Sequence, residues 1–79
     1  MHITIKEHNT KIVTLELNSL SSIINIKKQI AEIKRYPIKI QHLFYKHQEL
    51  LNDKTLNDYH IKKDTTINLV VLHSPGMYY

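Results

Sequence analysis

Apolar residues fall on every second position twice, at Met1, Ile3 and Ile5 and again at Val13, Leu15 and Leu17, and then switch to steps of three and four at Ile23, Ile26, Ile30 and Ile33. A period of two presents one face of a strand to a core, and a period near 3.6 presents one stripe of a helix. The chain therefore opens strand, strand, helix. The polar stretch Glu7-His8-Asn9-Thr10 between the two alternations predicts an antiparallel hairpin, and with no Asn-Gly or Asp-Gly dipeptide a bulged or longer loop is expected there. Ser21-Ser22 offers the N-cap of the helix. Lys34-Arg35 place positive charge at the negative end of its dipole, and Tyr36-Pro37 ends it, so the spacing predicts a helix over 23–34.

Beyond the helix, the β-rich stretch from Ile40 to Tyr45 reads as a strand, Lys46-His47 as a turn and Gln48 to Leu50 as a short return strand. Asn52-Asp53-Lys54 marks another turn. Thr55 to Tyr59 reads as a short helical turn capped by Thr55, and Thr66 to Leu72 as an apolar strand at the centre of a sheet, buried on both faces. Laid parallel beside the first strand, it requires a right-handed crossover. The expectation is an α+β fold in which a mixed four- to five-stranded sheet grasps one helix. With 79 residues, 42% of them hydrophobic, there is material for one core and none for a second. Residues 1–72 are expected to form the domain and 73–79 a flexible tail.

Several kinds of chemistry have no support in the residues. Without cysteine there is no disulfide, thiol nucleophile or thiolate metal site. The histidines His2, His8, His42, His47, His60 and His73 lack paired ligand spacing, and no phosphate loop, nucleophile elbow or HExxH motif occurs. Glu49, Asp53, Asp58 and Asp64 lie in a charged segment of the kind normally solvated, so a paired-acid mechanism is not expected. Neither metal, cofactor nor catalysis is therefore anticipated. The longest apolar run, Ile67 to Leu72 interrupted by Asn68, is far short of a membrane span, and the alternation from His2 to Lys6 is unlike a signal peptide. A cytoplasmic or nuclear protein is the expectation. A formal charge of +4 favours acidic partners, and Lys27, Lys28, Lys34, Arg35, Lys39, Lys62 and Lys63 make nucleic-acid binding the rival class. No aromatics interleave with those charges, which weighs against it.

Set in order, Thr14-Leu15-Glu16, Ile23-x-Asn25-x-Lys27-x-x-Ile30, Pro37, Gln41-x-Leu43, Leu50, Thr55-Leu56-x-Asp58-Tyr59-x-Ile61-x-Lys63 and Leu69-Val70 form a pattern that resembles the ubiquitin family, without a gap from Met1 to Gly76. The positions that form the family's core are all apolar: Ile3, Ile5, Val13, Leu15, Leu17, Ile23, Ile26, Ile30, Leu43, Leu50, Leu56, Ile61, Ile67 and Leu69. This set coincides with the inward positions read from periodicity alone. The resemblance implies a β-grasp fold and a tyrosine, Tyr59, whose hydroxyl ties a loop to the backbone. An ordinary packed tyrosine is the competing reading.

It also implies a recognition patch on the sheet at His8, Phe44 and Val70, flanked by His42, Glu49 and Asn68. Phe44 suits an anchor for an amphipathic partner helix, the plainer alternative being that it merely finishes strand packing. The partners implied are proteins with ubiquitin-binding or ubiquitin-like-binding domains: proteasome, shuttle, segregase or ligase components. Lys6, Lys11, Lys27 and Lys63 match acceptor lysines of the family, although a surface lysine is usually only a solvated charge. The tail departs from the pattern. Pro75 replaces one of the two glycines that conjugation needs, before Gly76, and His42, Leu72 and Ser74 replace family arginines. The expected function is thus that of a non-conjugated, monomeric binding module, as it stands or at the N-terminus of a longer protein, and a modifier precursor trimmed near Gly76 is the alternative.

Two further departures carry expectations. Ile12, Leu20, Ile24, Ile33, Ile38, Ile40 and Leu51 are apolar where the family pattern is mostly polar, so some are expected at the surface, as a second contact face or as scattered isoleucine-rich coding bias. The family's turn glycines are replaced by Thr10, Arg35, His47 and Asp53, which implies strained or altered turns wherever φ is positive.

Overall fold

In the computed structural model, which describes residues 1–72, the strands are β1 (His2–Glu7), β2 (Thr10–Glu16), β3 (Gln41–Tyr45), β4 (Gln48–Glu49) and β5 (Thr65–Val71). One helix, α1 (Ile23–Lys34), follows β2, and short 3₁₀ turns occupy Ile38–Ile40 and Asn57–Tyr59. The sheet order is β2-β1-β5-β3-β4, with β1 and β5 parallel and the other pairs antiparallel. This is the α+β, β-grasp arrangement expected.

Helix α1 runs over the predicted residues for the predicted reasons. The Ser22 hydroxyl accepts the Asn25 N–H at 3.3 Å, satisfying one of the orphan donors of the first turn. Ile23, Ile26 and Ile30 are fully buried against Ile3, Ile5, Leu43, Ile67 and Leu69 of the sheet. Each such side chain contributes about 1.5–3 kcal/mol of transfer free energy. Ile33, last of the stripe, is 49% exposed.

The core contains the expected residues, with two adjustments. Val13 is only half-buried, because the register slips from Ile5↔Val13 to Lys6↔Lys11 and leaves Ile12 as an extra residue on β2, a bulge that bends the strand. Ile40, expected among the surface apolar residues, is buried at the end of its 3₁₀ turn. The expectation that β5 is buried on both faces is also corrected. Ile67 and Leu69 are sealed, whereas Thr66, Asn68 and Val70 face outward, because α1 covers one side of the sheet only.

Lys46-His47 forms the turn the sequence places there, and the β1–β2 connection is itself a two-residue turn, with the expected irregularity displaced to the Ile12 bulge. Glu7↔Thr10 and Tyr45↔Gln48 are paired, so His8-Asn9 and Lys46-His47 alone reverse the chain, with φ of 52° and 65° and of 50° and 66°. Positive φ at both central residues is the type I′ geometry that suits the twist of a hairpin. Of the four positions that replace family glycines, Arg35 (φ 63°) and His47 adopt the left-handed region, and Thr10 and Asp53 do not. His8, Asn9, Lys46, His60 and Asp64 adopt it as well. A non-glycine residue costs roughly 1–2 kcal/mol there, and glycine recovers most of that while losing part through the freer unfolded chain. His47→Gly is therefore expected to raise the melting temperature by about 2–4 °C, equivalent to roughly 0.5 kcal/mol in a domain of this size. A lower melting temperature by calorimetry would count against strain at this turn.

Tyr59 takes the tying role: its hydroxyl accepts the Leu51 N–H at 2.8 Å while its ring packs on the core. Thr55 and Asp58 cap the neighbouring turn reciprocally, Asp58 Oδ2 accepting the Thr55 N–H at 2.8 Å and Thr55 Oγ1 accepting the Asp58 N–H at 3.2 Å. The bonds from Thr55 hold the Asp58 carboxyl below its ordinary range.

Candidate interaction surface

The side of the sheet away from α1 is built by strand register. Lys6 pairs with Asn68, Asn68 with Phe44, and Phe44 with Glu49, so these four side chains form one row across β1, β5, β3 and β4. His42 and Val70 form the next row. Residues directly opposite one another share a face of the pleat, and that face is the uncovered one. Phe44 is half-buried among its neighbours, and Val70 is 36% exposed. His42 Nδ1 lies 2.7 Å from Glu49 Oε2, a cross-strand pair that sequence spacing alone does not reveal.

Five of the six patch residues read from the sequence thus share this face: Phe44, Val70, His42, Glu49 and Asn68. His8 lies apart, exposed in the β1–β2 turn two residues beyond Lys6. Lys6, counted as an acceptor lysine, joins the Phe44 row and is half-buried. Lys11 and Lys63 are exposed, whereas Lys27 is buried at 6% exposure on α1. Burial holds the Lys27 ammonium below the usual lysine range, and the charge of Glu49 opposes that shift. Pro75 and Gly76 lie outside the described residues.

Of the surplus apolar residues, Leu20 (74%), Leu51 (54%) and Ile33 are exposed, and Ile12, Ile24 and Ile38 are half-buried. Among the described residues no three histidine, aspartate or glutamate side chains are grouped to hold a metal ion, and no helix is long and apolar enough to cross a membrane.

A mixed sheet that encloses one helix on one face and leaves the other open, with the β1–β5 parallel pair at its centre, defines a ubiquitin-like β-grasp domain. The family model described as "Ubiquitin family" matches residues 3–73, and the chain belongs to that family. Among curated relatives, AN1-type zinc finger protein 4 of Mus musculus is 35% identical over 62 residues, 78% of this chain and 8% of the relative. Ubiquitin-like protein 4B is 32% identical in Bos taurus and 30% in Mus musculus, over 90% of this chain in both. The chain spans 43% and 38% of those two proteins, so in all three relatives the matching segment is one part of a longer polypeptide.

Proposed function

We propose that this domain is a non-enzymatic, non-conjugated interaction module that engages proteins of the ubiquitin pathway through the open face of its sheet. The observation that supports this most directly is the register that sets Phe44 and Val70 beside each other on a side that, among the described residues, no element covers. An aromatic anchor flanked by an aliphatic residue and rimmed by Lys6, Asn68, His42 and Glu49 has the apolar centre and polar rim of a small protein interface. The rim also carries specificity. Glu49 is a negative charge at its edge and is engaged by His42, so a partner presenting acidic residues there is disfavoured and one presenting a cation beside its apolar face is favoured.

Residues 1–72 act as the folded unit in this reading, cytoplasmic or nuclear and monomeric. The relatives, in which the matching segment is a fraction of the chain, support its use as a docking module of larger proteins. The test is an NMR titration of the labelled domain with an amphipathic helical segment from a ubiquitin-binding protein. Amide shifts are expected to gather on β3 and β5 around Phe44, Asn68 and Val70, and to be small on α1. Shifts confined to α1 and the loop at Leu20 would move the interface to the opposite side of the molecule and sink the proposal.

A further inference from the structure

Among the described residues two polar side chains, Lys27 and Gln41, are buried, and neither is fully partnered. Among the described residues no carboxylate comes within pairing distance of the Lys27 ammonium and no acceptor is hydrogen-bonded to it, although it is a lysine at 6% exposure. The stem of Lys27 is enclosed and its ammonium opens on a cleft, partly desolvated and without a protein acceptor, which makes a charged partner there favourable. Beside it Gln41, 1% exposed, spends both amide hydrogens on the backbone oxygens of Lys27 and Tyr36, each at 3.0 Å. Its Oε1 is left buried and unpartnered. Both side chains line a single surface cleft of about 230 Å³, with Lys39, His42, Glu49 and Asn52 among its other walls.

We propose that this cleft is a carboxylate-binding site, in which a carboxylate from solution or from an acidic side chain of a partner protein pairs with the Lys27 ammonium. Three arguments select that ligand. An ammonium in a partly dry cleft offers three donors, and a charge-assisted pair supplies the acceptors it lacks. The fixed charges of the walls, Lys27 and Lys39 against Glu49, sum to one positive charge with histidine neutral, which matches a monovalent anion better than a phosphate or sulfate dianion. The unpartnered Gln41 oxygen accepts and does not donate, so it repels a second anionic oxygen and accommodates a donor. The direction of the Lys27 shift agrees, since burial outweighs the attraction of Glu49 and leaves the charge undercompensated. The site lies at the β3–β4 edge and does not depend on the sheet-face reading, although His42 and Glu49 border both.

The experiment is an NMR titration of the whole chain with sodium acetate, with the blocked peptide N-acetyl-Gly-Glu-Gly-amide, and with sodium chloride at matched ionic strength. Saturable shifts are expected for the Lys27 ammonium, the Gln41 side-chain amide and the backbone of Leu50 and Leu51, with chloride producing none of them. Lys27→Met, which keeps the length of the side chain and removes the charge, is expected to weaken binding by about tenfold or more. Phe44→Ala is expected to leave it unchanged, so failure here and failure of the sheet-face reading are told apart. If the peptide binds about tenfold tighter than acetate at the same residues, the natural source is a protein side chain; equal affinity assigns the site to a free carboxylate. Should Lys27→Met not fold, the Lys27 ammonium resonance of the unaltered protein still decides. Shifts that follow ionic strength alone, or that spread evenly over the surface lysines, would overturn the proposal.

Discussion

Phe44→Ala is expected to weaken binding to an amphipathic helical partner by about 30-fold or more, close to 2 kcal/mol, while the domain stays folded. The size of the effect follows from position. Phe44 stands at the crossing of β3 with β4 and β5, opposite Glu49 and Asn68, with Val70 on the adjoining row. A ring at that place supplies most of the apolar area a small partner can cover, and rim groups around it exclude water without adding much energy. The cost to the fold is smaller because the ring is half-buried and not part of the sealed core. Truncation there costs roughly 1–2 kcal/mol, below the 3–5 kcal/mol of a fully buried phenylalanine, against a total stability on the order of 4–12 kcal/mol for a chain this short. Isothermal titration below the unfolding transition, with circular dichroism on the same samples, separates the two quantities. Affinity that survives within about threefold would mean the partner uses another face.

Why the face was partly legible beforehand, and partly not, follows from the same residues. Periodicity and capping placed α1 over Ile23–Lys34 because every signal there is local: Ser22, the isoleucine spacing, and Pro37 beyond the end. The core set was legible because a period of two and a period of 3.6 select the same inward residues that the fold buries. Isoleucines outside those periods were not. Ile40 and Ile33 are chemically identical, yet one is buried by a 3₁₀ turn that folds under the sheet edge and the other lies at the open end of the helix. That distinction belongs to tertiary packing.

The Lys46-His47 turn falls where the sequence places it, and of the bulged or longer loop expected between β1 and β2 the structure has the bulge, at Ile12, beside a two-residue turn that no glycine signals. His8, Lys46 and His47 take left-handed backbone under the pull of the strands they join, a demand set by sheet twist and not by their own preference. Pairings that depend on register were equally hidden. The contact of His42 with Glu49 arises only once β3 and β4 are aligned, and the enclosure of Lys27 only once α1 lies against the 3₁₀ turn and β3. Lysine is seldom buried, so no reading of residue types points to it.

Ile67→Ala is expected to produce the largest loss of stability among the isoleucines, about 3–4 kcal/mol and a melting temperature lower by roughly 12–30 °C. Ile67 is fully sealed on β5, paired with Ile5 across the parallel ladder and covered by α1. Removing its side chain combines lost transfer energy with a cavity that β1, β3 and α1 cannot collapse to fill, because the sheet ladders hold β5 on both edges. The same substitution at Ile33, half-exposed on the same protein, is expected to change stability by less than about 0.5 kcal/mol. Ile67 also carries a consequence for function that Ile33 does not. It sits next to Asn68 and three residues before Val70, so a β5 that frays or shifts carries the outer rows with it, and Ile67→Ala should lose partner affinity only as far as it loses folded protein. Denaturant melts of both variants, with binding measured well below each midpoint, test the argument. A change at Ile67 no greater than at Ile33 would mean that β5 is not the central strand on which this face is built.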